Sequence, residues 1–388
     1  MTGRLRYHLL AFALTVFAAA PAHAAAPIIP PPPDVAATSY LLIDFDTQAV
    51  LVEHQAHERV PPASLTKIMT TYIAAVELEA GRISLEDQVP VSVKAWRTGG
   101  SKMFIQEGTQ VRLEDLLRGI IIQSGNDASI ALAEHIAGSE GAFADMMNQQ
   151  AQQLGMKNTS FANATGLPAP EHYTTAWDLA LLTRSMIERF PEHYAMYSEP
   201  SFEYNGIKQP NRNRLLLRDR TVDGVKTGHT EAAGYCLVAS ALRDGMRLIS
   251  VVMGTDSEEA RMRETQKLLS YGFRYFETQR VYEGGVPLKT ADLWYGEADQ
   301  IELGTAEDVY VTIPRGHYED LKAELEIARV IEAPVAAGDE LGEVRLMLED
   351  RTVYRAPLVA LADAPEGDIL SRLGDGIYLF FHNLISGD

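Results

Sequence analysis

Pro61-Pro-Ala-Ser64-Leu-Thr-Lys67-Ile-Met-Thr70 is the stretch on which the reading of this 388-residue chain turns. Pro61 and Pro62 stop whatever precedes them, and the run that follows predicts a helix from Ser64 to about Ala80. Ser64 and Lys67 then stand at i and i+3, side by side on one helical face. A serine hydroxyl is a weak nucleophile until a neighbouring base takes its proton. At a helix start it also has free backbone N–H groups and the positive end of the helix dipole beside it, both suited to a developing oxyanion. A lysine with its reference pKa near 10.4 is protonated at neutral pH and cannot be that base. It must be desolvated or set beside a second cation, and Lys226 is the candidate for that cation.

Ser-x-x-Lys alone would suit an ordinary surface helix; two later peptides give it meaning. Ser124-Gly-Asn126 falls between two helical runs. By itself it reads as a cap or turn. Beside Ser64, the Ser124 hydroxyl could pass a proton to a leaving amine and the Asn126 amide could hold a substrate carbonyl. Lys226-Thr-Gly228 follows Val222-Asp-Gly-Val225 and precedes His229-Thr230, as a strand at a cleft edge would. Such a strand offers Lys226 and Thr227 to a carboxylate, and Gly228 lets a substrate backbone approach. The His229 N–H would join that of Ser64 as an oxyanion donor, with the His229 ring lining the cleft. Arg212, in Asn211-Arg-Asn213, and Arg261, in Glu259-Ala-Arg-Met-Arg-Glu264, are further candidates to bind a terminal carboxylate. No cofactor or metal is called for: His54-Gln-Ala-His57 has i, i+3 spacing but no third ligand in view.

Around this set the chain alternates in character. Tyr40–Asp44 and Ala49–Glu53 flank a polar turn and predict a hairpin. Apolar steps of three and four predict helices over 113–122, 127–137 and 141–154. Tyr235–Leu242 and Arg247–Gly254 are strand-like and joined through Asp244-Gly245, a strong hairpin signal. Strands at both ends of a helical middle imply an α+β catalytic domain over 39–283, an antiparallel sheet flanked by helices. A closing helix is expected over 267–277 and a boundary at Gly284-Gly-Val-Pro287. Beyond it, Lys322–Ile327 and Val344–Leu348 alternate polar with apolar, so 288–365 reads as a small all-β domain. In 368–386, Ile369, Leu373, Ile377, Phe380, Phe381 and Leu384 share one face of an amphipathic helix whose internal charges suit a membrane surface rather than a span.

Arg4 and Arg6, the apolar run Leu9–Ala20 and Ala22-His-Ala24 make a secretory signal peptide over 1–24. A Pro/Ala-rich leader, extended and mobile, is expected over 25–38, with order beginning near Ser39. The single cysteine, Cys236, sits in an apolar stretch and reads as a buried small side chain. A net charge of −19 argues against nucleic acid as a partner.

Pro61–Thr70, Ser124-Gly-Asn-Asp-Ala128, Val222–Thr230 and Gly272-Phe-Arg-Tyr-Phe276 together resemble the low-molecular-mass penicillin-binding proteins that act as serine D-Ala-D-Ala carboxypeptidases. The likeness runs over nearly the whole chain after residue 24, including the β domain and terminal helix. It implies a penicillin-binding/β-lactamase-like fold, Ser64 as the acylated residue and Lys67 as its base. It implies that Ser124 and Asn126 complete the proton path and substrate contact, that Lys226 and Thr227 bind the carboxylate end, and that Arg261 is the carboxylate-associated arginine. The implied partners are peptidoglycan D-Ala-D-Ala stem peptides, β-lactam antibiotics and a membrane surface; the implied location is the periplasmic side of the bacterial inner membrane. A serine β-lactamase would need a deacylating Glu-x-x-Leu-Asn loop between the second and third motifs; Glu171 is followed instead by His-Tyr-Thr. A noncatalytic β-lactam sensor or cell-wall scaffold is the other alternative, separated from an enzyme by release of free D-alanine.

Overall fold

The computed structural model describes residues 29–368. The expected signal peptide, and the terminal helix beyond Asp368, lie outside the described residues. The first strands, β1 (Ser39–Asp44) and β2 (Val50–His54), form the anticipated hairpin. A 3-10 turn at Ala63–Leu65 runs into α1 (Thr66–Glu79). Next come β3 (Gln88–Pro90), α2 (Val93–Arg97) and β4 (Gln110–Arg112). The helical middle is α3 (Leu113–Gln123), α4 (Asn126–Ala137), α5 (Glu140–Gln153), α6 (Ala176–Arg189) and the short α7 (Pro191–Tyr194). A ribbon of β5 (Ser201–Tyr204) and β6 (Ile207–Pro210) precedes β7 (Val222–Thr230), β8 (Gly234–Arg243), β9 (Met246–Thr255) and α8 (Glu258–Tyr275).

Hydrophobic period explains these choices. In α3, Leu113, Leu116, Leu117, Ile120 and Ile121 recur at helical steps and are all buried. The main sheet is antiparallel in the order β2-β1-β9-β8-β7, so the first strand closes onto a late one: Ser39 pairs with Met253 and Asp44 with Leu248. Both faces of this sheet are covered. Leu41 and Ile43 enter the core shared with α1, α3, α4 and α6, while Leu42 and Leu248 lie against Gly272 of α8. That is why β1 reads as a continuous apolar run instead of an alternating one. The β8–β9 turn has Asp244 and Gly245 at φ 51° and 85°, the left-handed pair that an Asp-Gly hairpin needs.

Three expectations need correction. Order does not wait for Ser39: Val35 is buried, Thr38 N–H donates to Met253 O at 2.9 Å, and Ala36 N–H donates to Glu264 Oε2 at 3.2 Å. Proline-rich composition left the leader apparently free, but its backbone has partners on α8 and β9. Helix α8 starts at Glu258, not Lys267, because Ser257 caps it by accepting from Ala260 N–H and two glutamates follow in the first turn. It also ends earlier than Glu277. Phe276 begins β10 (Phe276–Tyr282), which pairs with β13 (Val309–Pro314), so the alternating pattern starts before Gly284. The rest of the β region comprises β11 (Pro287–Asp292), β12 (Gln300–Gly304), β14 (Leu321–Ile327), β15 (Glu340–Leu348) and β16 (Arg351–Ala360), in the sheet order β11-β12-β16-β15-β14. Thr278 Oγ1 donates to Asp44 Oδ2 at 2.6 Å, tying β10 to the end of β1.

Candidate active site

The turn that carries Ser64, the expected nucleophile, is built from its backbone outward. Ala63 is left-handed at φ 46°, an uncommon conformation for a residue with a Cβ. Thr66 Oγ1 donates to the Ala63 carbonyl at 2.9 Å and Leu65 N–H donates to Pro62 O at 3.1 Å. Ser64 therefore sits on the 3-10 turn just before α1, half-buried and facing a cleft. Lys67 is fully buried in the first turn of α1. Its Nζ lies 3.1 Å from Ser64 Oγ, 2.7 Å from Asn126 Oδ1 and 2.5 Å from Thr165 O. Burial is the main cause that pushes this amine down to about 7; the Arg212 guanidinium adds to it and Asp127 opposes it. Lys226 is expected as the second cation; the repulsion between the two lysines falls on Lys226, and Arg212 is the cation that lowers Lys67. Lys226 is itself held well below the ordinary lysine value, by burial first and then by Lys67, Arg212 and Arg261.

Ser124 ends α3 in the left-handed conformation, φ 63°. It is 2% exposed, and its Oγ has no hydrogen-bond partner among the described residues although it lines the cleft. Asn126 opens α4. Its Oδ1 accepts from Lys67 and its Nδ2 donates to Gly99 O at 2.8 Å, so the amide expected to hold a substrate carbonyl is already orienting the amine. Asp127, buried beside it, accepts from the N–H groups of Met103 (2.9 Å), Phe104 (2.8 Å) and Ile105 (3.2 Å). A carboxylate at the start of α4 thus pins the segment that carries Gly100 and Ser101 to the cleft wall.

The other wall is β7, the edge strand of the main sheet. Lys226 and Thr227 are buried in it, and Thr227 reaches the cleft. Gly228 lines the cleft, and a Cβ there would also lie 3.2 Å from Pro62 O and 3.3 Å from Ala63 Cβ. Its bare face admits the nucleophile's turn. His229 is exposed, with its ring stacked 4.0 Å from that of Tyr235. Arg261, 5% exposed on α8, donates to Gly228 O at 3.3 Å, sits 3.5 Å from Glu258 and lies over the Tyr235 ring. Arg212 is exposed at the cleft rim.

Ser64, Ser124, Asn126, Thr227, Arg212 and Arg261 line one cavity of about 430 Å³, with Lys67 and Lys226 beneath it. All three peptides converge there. Sequence reasoning missed the Thr165-Gly166-Leu167 wall, whose signal was an Asx turn. Asn163 Oδ1 accepts from Thr165 N–H at 3.1 Å and Gly166 N–H at 2.8 Å. Glu171, the one candidate for a β-lactamase-type base, is exposed and does not line the cavity.

Comparison with known proteins accounts for both regions. Residues 26–257 match the D-alanyl-D-alanine carboxypeptidase family model, and residues 276–366 match the penicillin-binding protein 5 C-terminal domain. The D-alanyl-D-alanine carboxypeptidase DacA of Escherichia coli (strain K12) is 43% identical over 364 residues, covering 92% of this chain and 90% of that protein. Penicillin binding protein 5 from Haemophilus influenzae superposes with a TM-score of 0.84 at 42% identity, over 86% of this chain and 99% of that one. The ampicillin-bound form of penicillin-binding protein D2 from Listeria monocytogenes matches 62% of this chain and 98% of that one, at 30% identity and a TM-score of 0.58. Likeness of this extent, over both the cleft-bearing region and the β region, means that the chain belongs to the D-alanyl-D-alanine carboxypeptidase family.

Proposed function

We infer that this protein is a serine D-Ala-D-Ala carboxypeptidase, which removes the terminal D-alanine of peptidoglycan pentapeptides through a Ser64 acyl-enzyme and is acylated by β-lactams at the same serine. The observation that carries this assignment is the environment of Lys67 Nζ. Asn126 Oδ1 and Thr165 O can only accept, so a neutral amine gives them its two hydrogens and turns its lone pair toward Ser64 Oγ. As Oγ attacks the carbonyl carbon of the penultimate residue, its proton passes to Nζ and the carbonyl oxygen becomes an oxyanion facing the N–H groups of Ser64 and His229. Collapse breaks the C–N bond, and the departing D-alanine takes the proton from Lys67 Nζ through the Ser124 hydroxyl, which has no partner among the described residues. Water then attacks the ester with Lys67 again as base, and Ser64 regains its proton. Lys226, Thr227, Arg261 and Arg212 receive the substrate carboxylate.

The proposed organisation is a signal peptide over 1–24, a catalytic domain from 39, a β domain ending near 365 and a membrane-surface helix over 368–386. The protein would then work on the periplasmic side of the inner membrane. Among the described residues no helix is long and apolar enough to cross a membrane. The decisive measurement is D-alanine release from a D-Ala-D-Ala peptide by wild type and Ser64→Ala, with mass spectrometry after penicillin. Wild type should release D-alanine and gain one adduct, and the variant should do neither. Turnover surviving in the variant would overturn the site.

A further inference from the structure

His172 takes no part in the steps above, yet it is 7% exposed and all of its bonding capacity is spent next to Ser64. The backbone N–H of Ala162 donates to His172 Nδ1 at 2.8 Å. An amide N–H can only donate, so Nδ1 carries the lone pair and the ring proton is on Nε2. Nε2 lies 2.8 Å from Thr66 Oγ1 and therefore donates to it. The Thr66 hydroxyl in turn donates to Ala63 O at 2.9 Å. The result is one directed chain, from Ala162 through the imidazole and Thr66 to the carbonyl of the peptide that joins Ala63 to Ser64. That peptide's N–H is the proposed oxyanion donor. Ala63 holds φ 46°, which a residue with a side chain keeps only when its surroundings over-determine it. Burial, and then the charge of Lys67, push His172 down to about 4, so the ring stays neutral and keeps this tautomer.

We propose that His172 is a positioning residue for Ser64: acting through Thr66, it fixes the plane of the Ala63–Ser64 peptide and with it the aim of the Ser64 N–H and Oγ. It touches neither substrate nor reacting atoms, and the proposal rests on Ser64 being the nucleophile. A misplacement of about 1 Å can cost on the order of 100-fold in rate without a matching loss of binding.

The test measures the acylation rate constant and the preceding dissociation constant for penicillin in wild type, His172→Leu, His172→Gln, Thr66→Val and the double variant Thr66→Val/His172→Leu, with melting curves beside them. His172→Leu should acylate roughly 10- to 100-fold more slowly with binding little changed. His172→Gln, whose amide can accept from Ala162 and donate to Thr66, should recover most of that loss. The double variant should be no slower than the slower single one, since both break the same chain. A folded His172→Leu at the wild-type rate, a His172→Gln as slow as His172→Leu, or losses that multiply in the double variant would each overturn the proposal. Should His172→Leu fail to fold, Thr66→Val, which keeps the side-chain shape, decides: slow acylation with intact binding supports the chain and an unchanged rate sinks it. Ser64→Ala separates the two ideas. An adduct in that variant refutes the nucleophile; no adduct there, with undiminished acylation in His172→Leu, refutes the positioning role alone.

Discussion

Acylation should track the loss of a proton from Lys67. With its amine pushed down to about 7, about 10% of the enzyme carries a neutral lysine at pH 6 and about 90% at pH 8, against about 0.4% at pH 8 for a lysine near its reference pKa. The rate constant for acylation by excess penicillin, followed by stopped flow, should therefore climb roughly tenfold from pH 6 to pH 8 and level off above. The sign for stability is separate. The amine's value falls from 10.5 unfolded to about 7 folded, so Lys67 costs nothing above the first. It costs progressively more as pH falls between the two and a constant amount below the second. Two substitutions divide the cause. Lys67→Arg, which keeps its proton, should abolish acylation. Arg212→Gln removes the charge that supplements burial and should move the midpoint upward. A rate flat between pH 6 and 8 in wild type, or a midpoint above about 9 as for an exposed lysine, would refute Lys67 as the base.

Gly166→Ala would put a Cβ 1.8 Å from Ala63 O at φ +84°. The left-handed backbone alone costs about 1–2 kcal/mol. The urea midpoint and the acylation rate should both fall, and no change in either would disprove so close an approach of the loop to the nucleophile's turn. Deleting residues 369–388 should move the protein from the membrane pellet to the soluble fraction while D-alanine release continues; retention in the pellet would count against the proposed anchor.

The parts of this fold legible in the sequence were those with short-range causes. Asp244-Gly245 specified a hairpin through backbone conformation alone, and the apolar steps of α3 specified a helix through one buried face. What escaped was set by distant partners. The first half of α8 is rich in charge, which hides its helical face, yet Arg261 and Glu264 are buried, one reaching Gly228 O and the other flanked by Arg263 and Lys267. The leader looked free because its composition says nothing about which acceptors across the fold its N–H groups will meet. The site followed the same rule. The i, i+3 spacing brought Ser64 and Lys67 together by local geometry. Nothing local announced that Gly228 makes room for the nucleophile's turn, or that Thr165 presents its carbonyl to Lys67.

The electrostatics of the cleft run against those of the chain. The protein carries a net charge of −19, but Lys67 and Lys226 are both buried and neither has a carboxylate in ion-pair contact among the described residues. Asp127, the acid that raises Lys67, spends its oxygens on the N–H groups of residues 103–105, and its effect ranks below those of burial and Arg212. Had that carboxylate touched Lys67, the amine would stay protonated and Ser64 would have no base. Leaving the cations unpaired costs folding energy, but it also leaves a site whose missing counter-charge must come from outside. In the proposed reaction the substrate's terminal carboxylate would supply it. Bound beside Lys226, Thr227 and Arg261, that anion would leave the burial that chiefly depresses Lys226 but offset the repulsion that adds to it, favouring the protonated form. Lys67 can stay neutral at the same moment, because its own depression comes first from burial, which the anion does not undo. One lysine is thereby made a charge for recognition while the other remains a base, and a substrate lacking the carboxylate forfeits the distinction.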